Sequence, residues 1–464
     1  MTADDIAYLS ARELTGLYGS GKLSPVQAAE ALFARLDDLQ PRINAFCIVD
    51  RAGAVAAARA SEARWRAGQP LSPVDGVPAT IKDLMLMRGF PTRRGSHLIE
   101  NVPDTEDSPA VARLKETGAV ILGKTTTPEF GWIAVGDSPL TGITRNPWNL
   151  QRTPGGSSAG AAAACAAGIG VLNLGSDGAG SIRIPACFSG VFGLKPSFGL
   201  VPAYPPSPMG LLSHHGPIAR SVADAAAMLT VLSRPDPRDP YGLPAHDGDF
   251  RDGIEDGVRG WKIAYSPDLG YARVDPEIAA SVAAAARQFA ALGAHVEEVG
   301  KIFDAPREAL LTLWGAGAAR IIAGIPAEKL RQCEPGFLAV AKAGAGIGAV
   351  DYLGADLARN ALGRTMGAFH QKYDLLLTPM MPVPALPVGV DLNDPASEEH
   401  WVDWSPFSYP FNMTRQPAAS IPCGLTSGGL PIGLQIVGAL HADAKVLRAA
   451  RAFEATQPVR RPPI

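Results

Sequence analysis

Between Arg152 and Asp177 the chain carries no charged residue, and the heart of this stretch, TPGGSSAGAAAACAAG (153–168), is glycine and serine followed by alanine. A run of that length without charge belongs either in a bilayer or inside a folded domain. Its apolar residues are mostly alanine, which gains little from lipid, and glycines, serines and a proline interrupt it. The run therefore predicts a helix enclosed by a soluble protein, with no membrane partner. The remaining chain must supply a core large enough to enclose it, and 464 residues that are 47% hydrophobic and 19% charged are ample for that, as one large domain or two fused ones.

Charge narrows the partners. With 42 basic and 45 acidic residues the net charge is −3, so no basic field favours nucleic acid, and small molecules are the expected partners. Cys47, Cys165, Cys187, Cys333 and Cys423 are odd in number, widely spaced and free of any CxxC pattern. A reducing, cytoplasmic setting fits them better than a disulfide framework or a zinc cage. The opening MTADDIAYLSARELTG is polar and acidic where a signal peptide is basic and then apolar, and reads as the start of the mature fold.

Periodicity predicts an α/β protein. Residues 10–68 read as a helical N-terminal region in which Ser24 caps a helix starting at Pro25. From Leu71 onward short apolar runs, VPATI and AVILG, alternate with helical stretches such as SPAVARLKETG, and KIAYSPD, HVEEV, DLLLTP and PIGLQIVG continue the strand pattern. DPEIAASVAAAARQFAALG and HADAKVLRAARAFEA read as helices, and 234–260, rich in Pro, Asp and Gly, reads as a long surface loop.

Several motifs mislead. GAVILGKT (118–125) satisfies the Walker A pattern, but AVIL is a strand where a phosphate loop needs a compact turn, and TTTPEF is a poor helix start. The related stretch Gly16–Lys22 ends in Leu23 and lacks the magnesium hydroxyl. Gly156-Ser157-Ser158-Ala159-Gly160 fits the GxSxG nucleophile elbow, yet polar, proline-broken TRNPWNLQRTP precedes it instead of a strand. None of the histidines stands in a metal-binding spacing, and His214-His215 reads as a surface or structural pair in a proline-rich loop.

Three segments converge on acyl-transfer chemistry without histidine. In LGSDGAGSIRIPA (174–186), Gly178, Ala179 and Gly180 leave consecutive amides almost uncovered before Ser181, which suits an oxyanion. VPATIKD (77–83) puts Lys82 at the end of an apolar strand, where burial drives an amine toward its neutral, basic form. Alone, Lys82 reads as a salt-bridged structural lysine. Beside the serine clusters it reads as a base.

Together with GAVILGKTTTPEF, TRNPWN, GVFGLKPSFG, GPIARSVADAA, DLLLTP and QPAASIPCGLTSGGLPIGLQIVG, in this order along nearly the whole chain, these segments resemble the amidase signature family. That resemblance implies a single domain over 1–464: one large mixed, twisted β-sheet covered by helices on both faces, with a helical N-terminal region (1–68), a catalytic core (69–233), the surface loop (234–260) and a remainder carrying sheet and substrate pocket (261–464). It implies hydrolysis of a carboxylic amide to acid plus amine or ammonia through an acyl-enzyme on Ser181. Ser157 would relay protons across a cis peptide bond and Lys82 would be the base. Gly178, Ala179 and Gly180 would form the oxyanion hole, with Ser158, Asp177 and Arg183 supporting the loop. No metal and no cofactor is implied, the partner is a small-molecule amide, and homodimerisation stays open.

Two departures stand out. Ala179 replaces a glycine of the usual loop, and Ile184 stands where the A-type glutaminase chains of the tRNA-dependent amidotransferases typically have glutamine; that glutaminase role is the alternative reading. Trp132 falls at a pocket-wall position of the family and is the substrate-binding candidate, while Trp314, Trp401, Trp404 and Phe407 lie in variable stretches where ordinary packing explains them equally well. These aromatics suggest an apolar or aryl amide.

Overall fold

Alternation along Val120–Thr125 sets the architecture, because Val120 and Leu122 point into one buried cluster and Ile121 into another on the opposite face. A strand apolar on both faces needs helices on both faces. In the computed structural model, which describes residues 1–390 and 402–464, helices Pro25–Ile43, Arg51–Arg66 and Ala159–Ala166 pack on the Val120 side, and Pro109–Glu116 and Val222–Leu232 on the Ile121 side. Leu375–Pro379 repeats the pattern near the far edge: Leu376 faces a cluster with the helices Arg307–Ile322 and Pro335–Gly344, whereas Leu375 and Leu377 face Pro276–Ala291.

The sheet has 11 strands. From edge to edge they are Phe46–Val49, Val120–Thr125, Pro78–Lys82, Leu172–Asp177, His214–Ala219, Phe192–Lys195, Ala418–Leu425, Pro431–Gly438, Leu375–Pro379, Lys262–Tyr265 and His295–Glu298. The Val120, Pro78 and Leu172 strands are mutually parallel, the centre is antiparallel, and the last three strands are parallel again. One mixed sheet thus spans the chain from Phe46 to Gly438.

Local sequence accounts for most boundaries. Ser24 Oγ accepts from the Gln27 amide at 3.1 Å while Gln27 Oε1 accepts from the Ser24 amide at 2.9 Å, a reciprocal cap, and Pro25 occupies the first helical position. The N-terminal region is not purely helical, however: Phe46–Val49 forms an edge strand antiparallel to Val120–Thr125. Residues 234–260 contain no helix or strand.

The alanine-rich helix Ala159–Ala166 is buried at every position, touching helix Arg183–Ser189 and the Pro78, Val120, Leu172 and His214 strands. Small side chains permit that approach, since a Cβ on Gly160 would lie 2.1 Å from the Ala45 carbonyl oxygen. Among the described residues no single helix is long and apolar enough to cross a membrane.

His214-His215 lies in a strand, not in a loop, which corrects the expectation above. His215 pairs with Ser176 and His214 with Asp177. Pro217 is tolerated there because the ladder to Phe192–Lys195 stops at Ile218.

Candidate active site

The parallel strands Pro78–Lys82 and Leu172–Asp177 run in register, Ile81 opposite Leu174, so Lys82 and Ser176 emerge side by side at their carboxyl ends. Open α/β sheets bind ligands at such ends. The fully buried Lys82 Nζ lies within hydrogen-bond distance of Ser157 Oγ at 2.7 Å, Ser176 Oγ at 3.0 Å and Ser158 Oγ at 3.1 Å. It has no ion-pair partner among the described residues. Burial lowers its pKa well below the usual value, and the charge of nearby Asp177 offsets this only in part.

Hydrogen bookkeeping gives the three hydroxyls different parts. Ser158 Oγ donates to the Ser176 carbonyl at 3.1 Å and accepts from the Ser176 amide at 3.2 Å, so toward Lys82 it acts as an acceptor. A neutral amine has two N–H groups and one lone pair. Ser157 makes the shortest contact to Nζ, and its hydroxyl proton can be given to that lone pair. The Gly156–Ser157 peptide is cis, as the resemblance implies, and Gly155 (φ +80°) and Gly131 (φ +67°) shape the approach. A Cβ on Gly155 would meet Pro185 Cα at 2.9 Å and one on Gly131 would meet Ser157 Oγ at 3.0 Å. Only glycine fits these two positions.

Ser181 follows the strand on a loop fixed from several directions. The Ser158 amide donates to the Ser181 carbonyl at 3.1 Å, tying the two serine segments together. Asp177 accepts from the Gly180 amide at 2.7 Å and the Ile182 amide at 3.2 Å, and from Arg183 Nε at 2.9 Å and Nη2 at 3.0 Å. Burial pushes the Asp177 carboxyl up, but the charge and hydrogen bonds of Arg183, helped by Lys195 and Asn412, outweigh it and hold the group below its ordinary range.

This arrangement distinguishes the loop amides. The Gly180 amide, one of the three expected oxyanion donors, donates to Asp177 in this structure. Its glycine is needed for another reason: φ is +127° and a Cβ would lie 2.6 Å from Ser408 Cβ. Among the described residues the amides of Gly178, Ala179 and Ser181 have no protein partner. Ala179 is absent from the positive-φ residues, so its methyl is accommodated without strain, and Ser408 Oγ donates to its carbonyl at 2.5 Å.

Arg183 and Asp177 form a fully buried pair, not a surface one. The guanidinium also donates to Asn412 Oδ1 at 2.6 Å, Gln435 Oε1 at 2.7 Å and the Ser408 carbonyl at 3.0 Å, and Asn412 Nδ2 returns a bond to the Asp177 carbonyl at 2.9 Å. Ser408, Asn412 and Gln435 escaped the sequence reading because no short motif links them to the serines, and Ser176, although inside LGSDGAGSIRIPA, because nothing local shows that it faces Lys82; the available signal was that Asn412 and Gln435 are amides in otherwise apolar segments.

Trp132 is buried against Phe337, ring centroids 6.1 Å apart, in a cluster that includes Trp314, Phe407 and the edge of Ala179. Trp314 abuts the catalytic loop, its Cζ3 3.1 Å from where a Gly178 Cβ would stand. Trp404 instead stacks on Phe188 at 6.3 Å, and Trp401 lies outside the described residues. His214 is structural, its Nδ1 donating to the Leu212 carbonyl at 2.8 Å, and burial depresses its pKa. No cluster of three or more metal-ligating side chains occurs among the described residues.

The Amidase family model matches residues 27–447. An acylamidase of Rhodococcus erythropolis is 37% identical over 99% of this chain and 97% of its own length. The A chain of the glutamyl-tRNA(Gln) amidotransferase of Myxococcus xanthus is 37% identical over 96% of each. The crystal structure of a bacterial aryl acylamidase of the amidase signature family superposes with a TM-score of 0.90 at 30% identity, covering 97% of this chain and 96% of that one. The chain thus belongs to the amidase signature family as a hydrolase of carbon–nitrogen amide bonds.

Proposed function

We propose that hydrolysis proceeds through an acyl-enzyme on Ser181, with Ser157 relaying protons and Lys82 as the base. The observation that carries this reading is the setting of Lys82: a fully buried amine held by three hydroxyls, with its pKa driven down by burial. Ser181 Oγ attacks the amide carbon while its proton passes to Ser157 and the Ser157 proton passes to Nζ. Charge on the carbonyl oxygen is met by the amides of Gly178, Ala179 and Ser181, where each preorganised donor is worth roughly a hundredfold to a thousandfold in turnover. The C–N bond then breaks, the relay returns the proton to the leaving amine, and water releases the acid from the Ser181 ester by the same route.

The substrate we infer is a small amide with an apolar or aryl acyl group, met in the cytoplasm. Support comes from the apolar cluster of Trp132, Trp314 and Phe407 beside Ala179, and from the acylamidase and aryl acylamidase relatives. We take the enzyme to act alone; the amidotransferase reading predicts instead a co-purifying partner and tRNA-linked glutaminase activity. Labelling with a serine-directed fluorophosphonate followed by peptide mapping tests the assignment. Modification of Ser181 is expected, and modification of Ser158 in its place would overturn it. A panel of aryl, alkyl and polar amides then reads out the acyl preference, and a preference for glutamine would sink the apolar assignment.

A further inference from the structure

The residues that follow Asn412 along the chain, Thr414, Arg415 and Gln416, together with Arg359, Arg364 and His370, line part of a cavity of about 450 Å³. Its charge is unbalanced. Arg359 is buried and paired with Asp356 at 2.8 Å, but Arg364 and the half-buried Arg415 have no ion pair among the described residues. A guanidinium cannot shed its charge by losing a proton, so a half-buried one beside a second arginine calls for an anion. Burial and the charge of Arg359 both act against the Arg415 cation, and the charge of Asp356, itself paired with Arg359, offsets them only in part.

Three buried polar atoms around the same cavity also lack partners: Thr414 Oγ1, Gln416 Oε1 and His370 Nε2. Their roles are fixed by what their other atoms do. Gln416 Nε2 donates to the Gly438 carbonyl at 2.8 Å, which leaves Oε1 as an acceptor, and His370 Nδ1 faces the Tyr373 carbonyl at 3.1 Å, which leaves Nε2 as an acceptor in the neutral ring. The cavity therefore offers cations and a hydroxyl for an oxyanion, and acceptors for a hydroxyl on the same ligand.

We propose that this pocket binds an oxyanion that itself carries an O–H group, of the class of hydrogen phosphate or a small hydroxycarboxylate, and that occupancy reaches the catalytic loop through Asn412. The link is short. The Arg415 amide donates to the Asn412 carbonyl at 3.1 Å, and the Asn412 side chain holds both Asp177 and Arg183. The link rests on the catalytic reading above; the binding does not.

Calorimetric titration of the full chain with inorganic phosphate, glycolate and sulfate, each at matched ionic strength, tests the site. Saturable binding of phosphate or glycolate is expected, whichever binds identifying the inorganic or the carboxylate source. Sulfate, with no O–H at neutral pH, should bind on the order of tenfold more weakly. Arg415→Ala should weaken binding at least about tenfold, and Arg364→Ala, at an exposed position, provides the same test if that variant fails to fold. Binding of neither ligand, sulfate equal to phosphate, or affinity unchanged in both arginine variants would overturn the proposal. Turnover of a neutral amide should change about twofold or more at saturation in the wild type and not in Arg415→Ala. Saturable binding with constant turnover would overturn the link through Asn412.

Discussion

Lys82 and Lys124 sit on adjacent parallel strands, at Lys82 opposite Thr125 and at Lys124 opposite Ile81, and both side chains are wholly buried. Their company differs. Lys124 Nζ lies 2.8 Å from Asp83 Oδ1 and donates to Thr92 Oγ1 at 2.6 Å and the Pro91 carbonyl at 3.0 Å, whereas Lys82 meets only hydroxyls at hydrogen-bond distance. A carboxylate favours an ammonium and makes a structural cation; hydroxyls in a dry site leave an amine free to be neutral. Neighbours, not burial, separate a strut from a base. The lysine of the Walker-like stretch is the strut.

The largest expected effect divides the two lysines cleanly. Lys82→Met should lower kcat/KM on a neutral amide by on the order of 10⁴-fold while the protein stays folded, as judged by circular dichroism. Near-native turnover would remove Lys82 from the chemistry. Lys124→Met should do the reverse, costing about 3–5 kcal/mol in denaturant unfolding because the buried Asp83 loses its lysine counter-charge and keeps only backbone amides, with kcat of the folded fraction changed only a few-fold.

A smaller effect comes from making the first site resemble the second. Ser176→Asp would put a carboxylate next to Lys82, raise the pKa of the amine and cut turnover at neutral pH about tenfold, with recovery in alkali. The wild type provides the reference profile. As the pH falls through the depressed pKa of Lys82 the base is protonated and kcat/KM declines, so the acid limb of Ser176→Asp should lie at least about one unit higher. Stability follows the same sign. Between that depressed pKa and the ordinary 10.5 the unfolded chain binds more protons than the folded one, so unfolding free energy rises with pH across the window. The smallest change is expected from Ala179→Gly, which restores the usual loop glycine and should leave kcat within about threefold, because the amide that matters is already present.

Much of the active site was legible in the sequence because each catalytic candidate sits in a local motif whose backbone needs are visible. GGSS announces a close approach, SDGAGS a run of bare amides, and IKD a lysine at a strand end. The strands from VPATI to PIGLQIVG were legible for the same reason, an apolar run bounded by turn residues. His214-His215 misled because prolines nearby outweighed an alternation only a few residues long. The bond from the Gly180 amide to Asp177 was not legible, because a sequence displays donors without displaying what they already hold. Ser408, Asn412 and Gln435 were out of reach altogether: an isolated amide in an apolar segment becomes meaningful only when the fold brings Arg183 to it.

That last contact has a consequence in time. On the ribosome, Lys82, Ser157 and Ser181 are all made long before Asn412 and Gln435, yet the Asp177–Arg183 pair that shapes the loop around Ser181 is completed only by those late residues. A chain ending before residue 408 holds every proposed catalytic side chain but lacks the Ser408, Asn412 and Gln435 contacts to that pair. The loop around Ser181 is therefore held by side chains at least 225 residues further along the chain than Arg183.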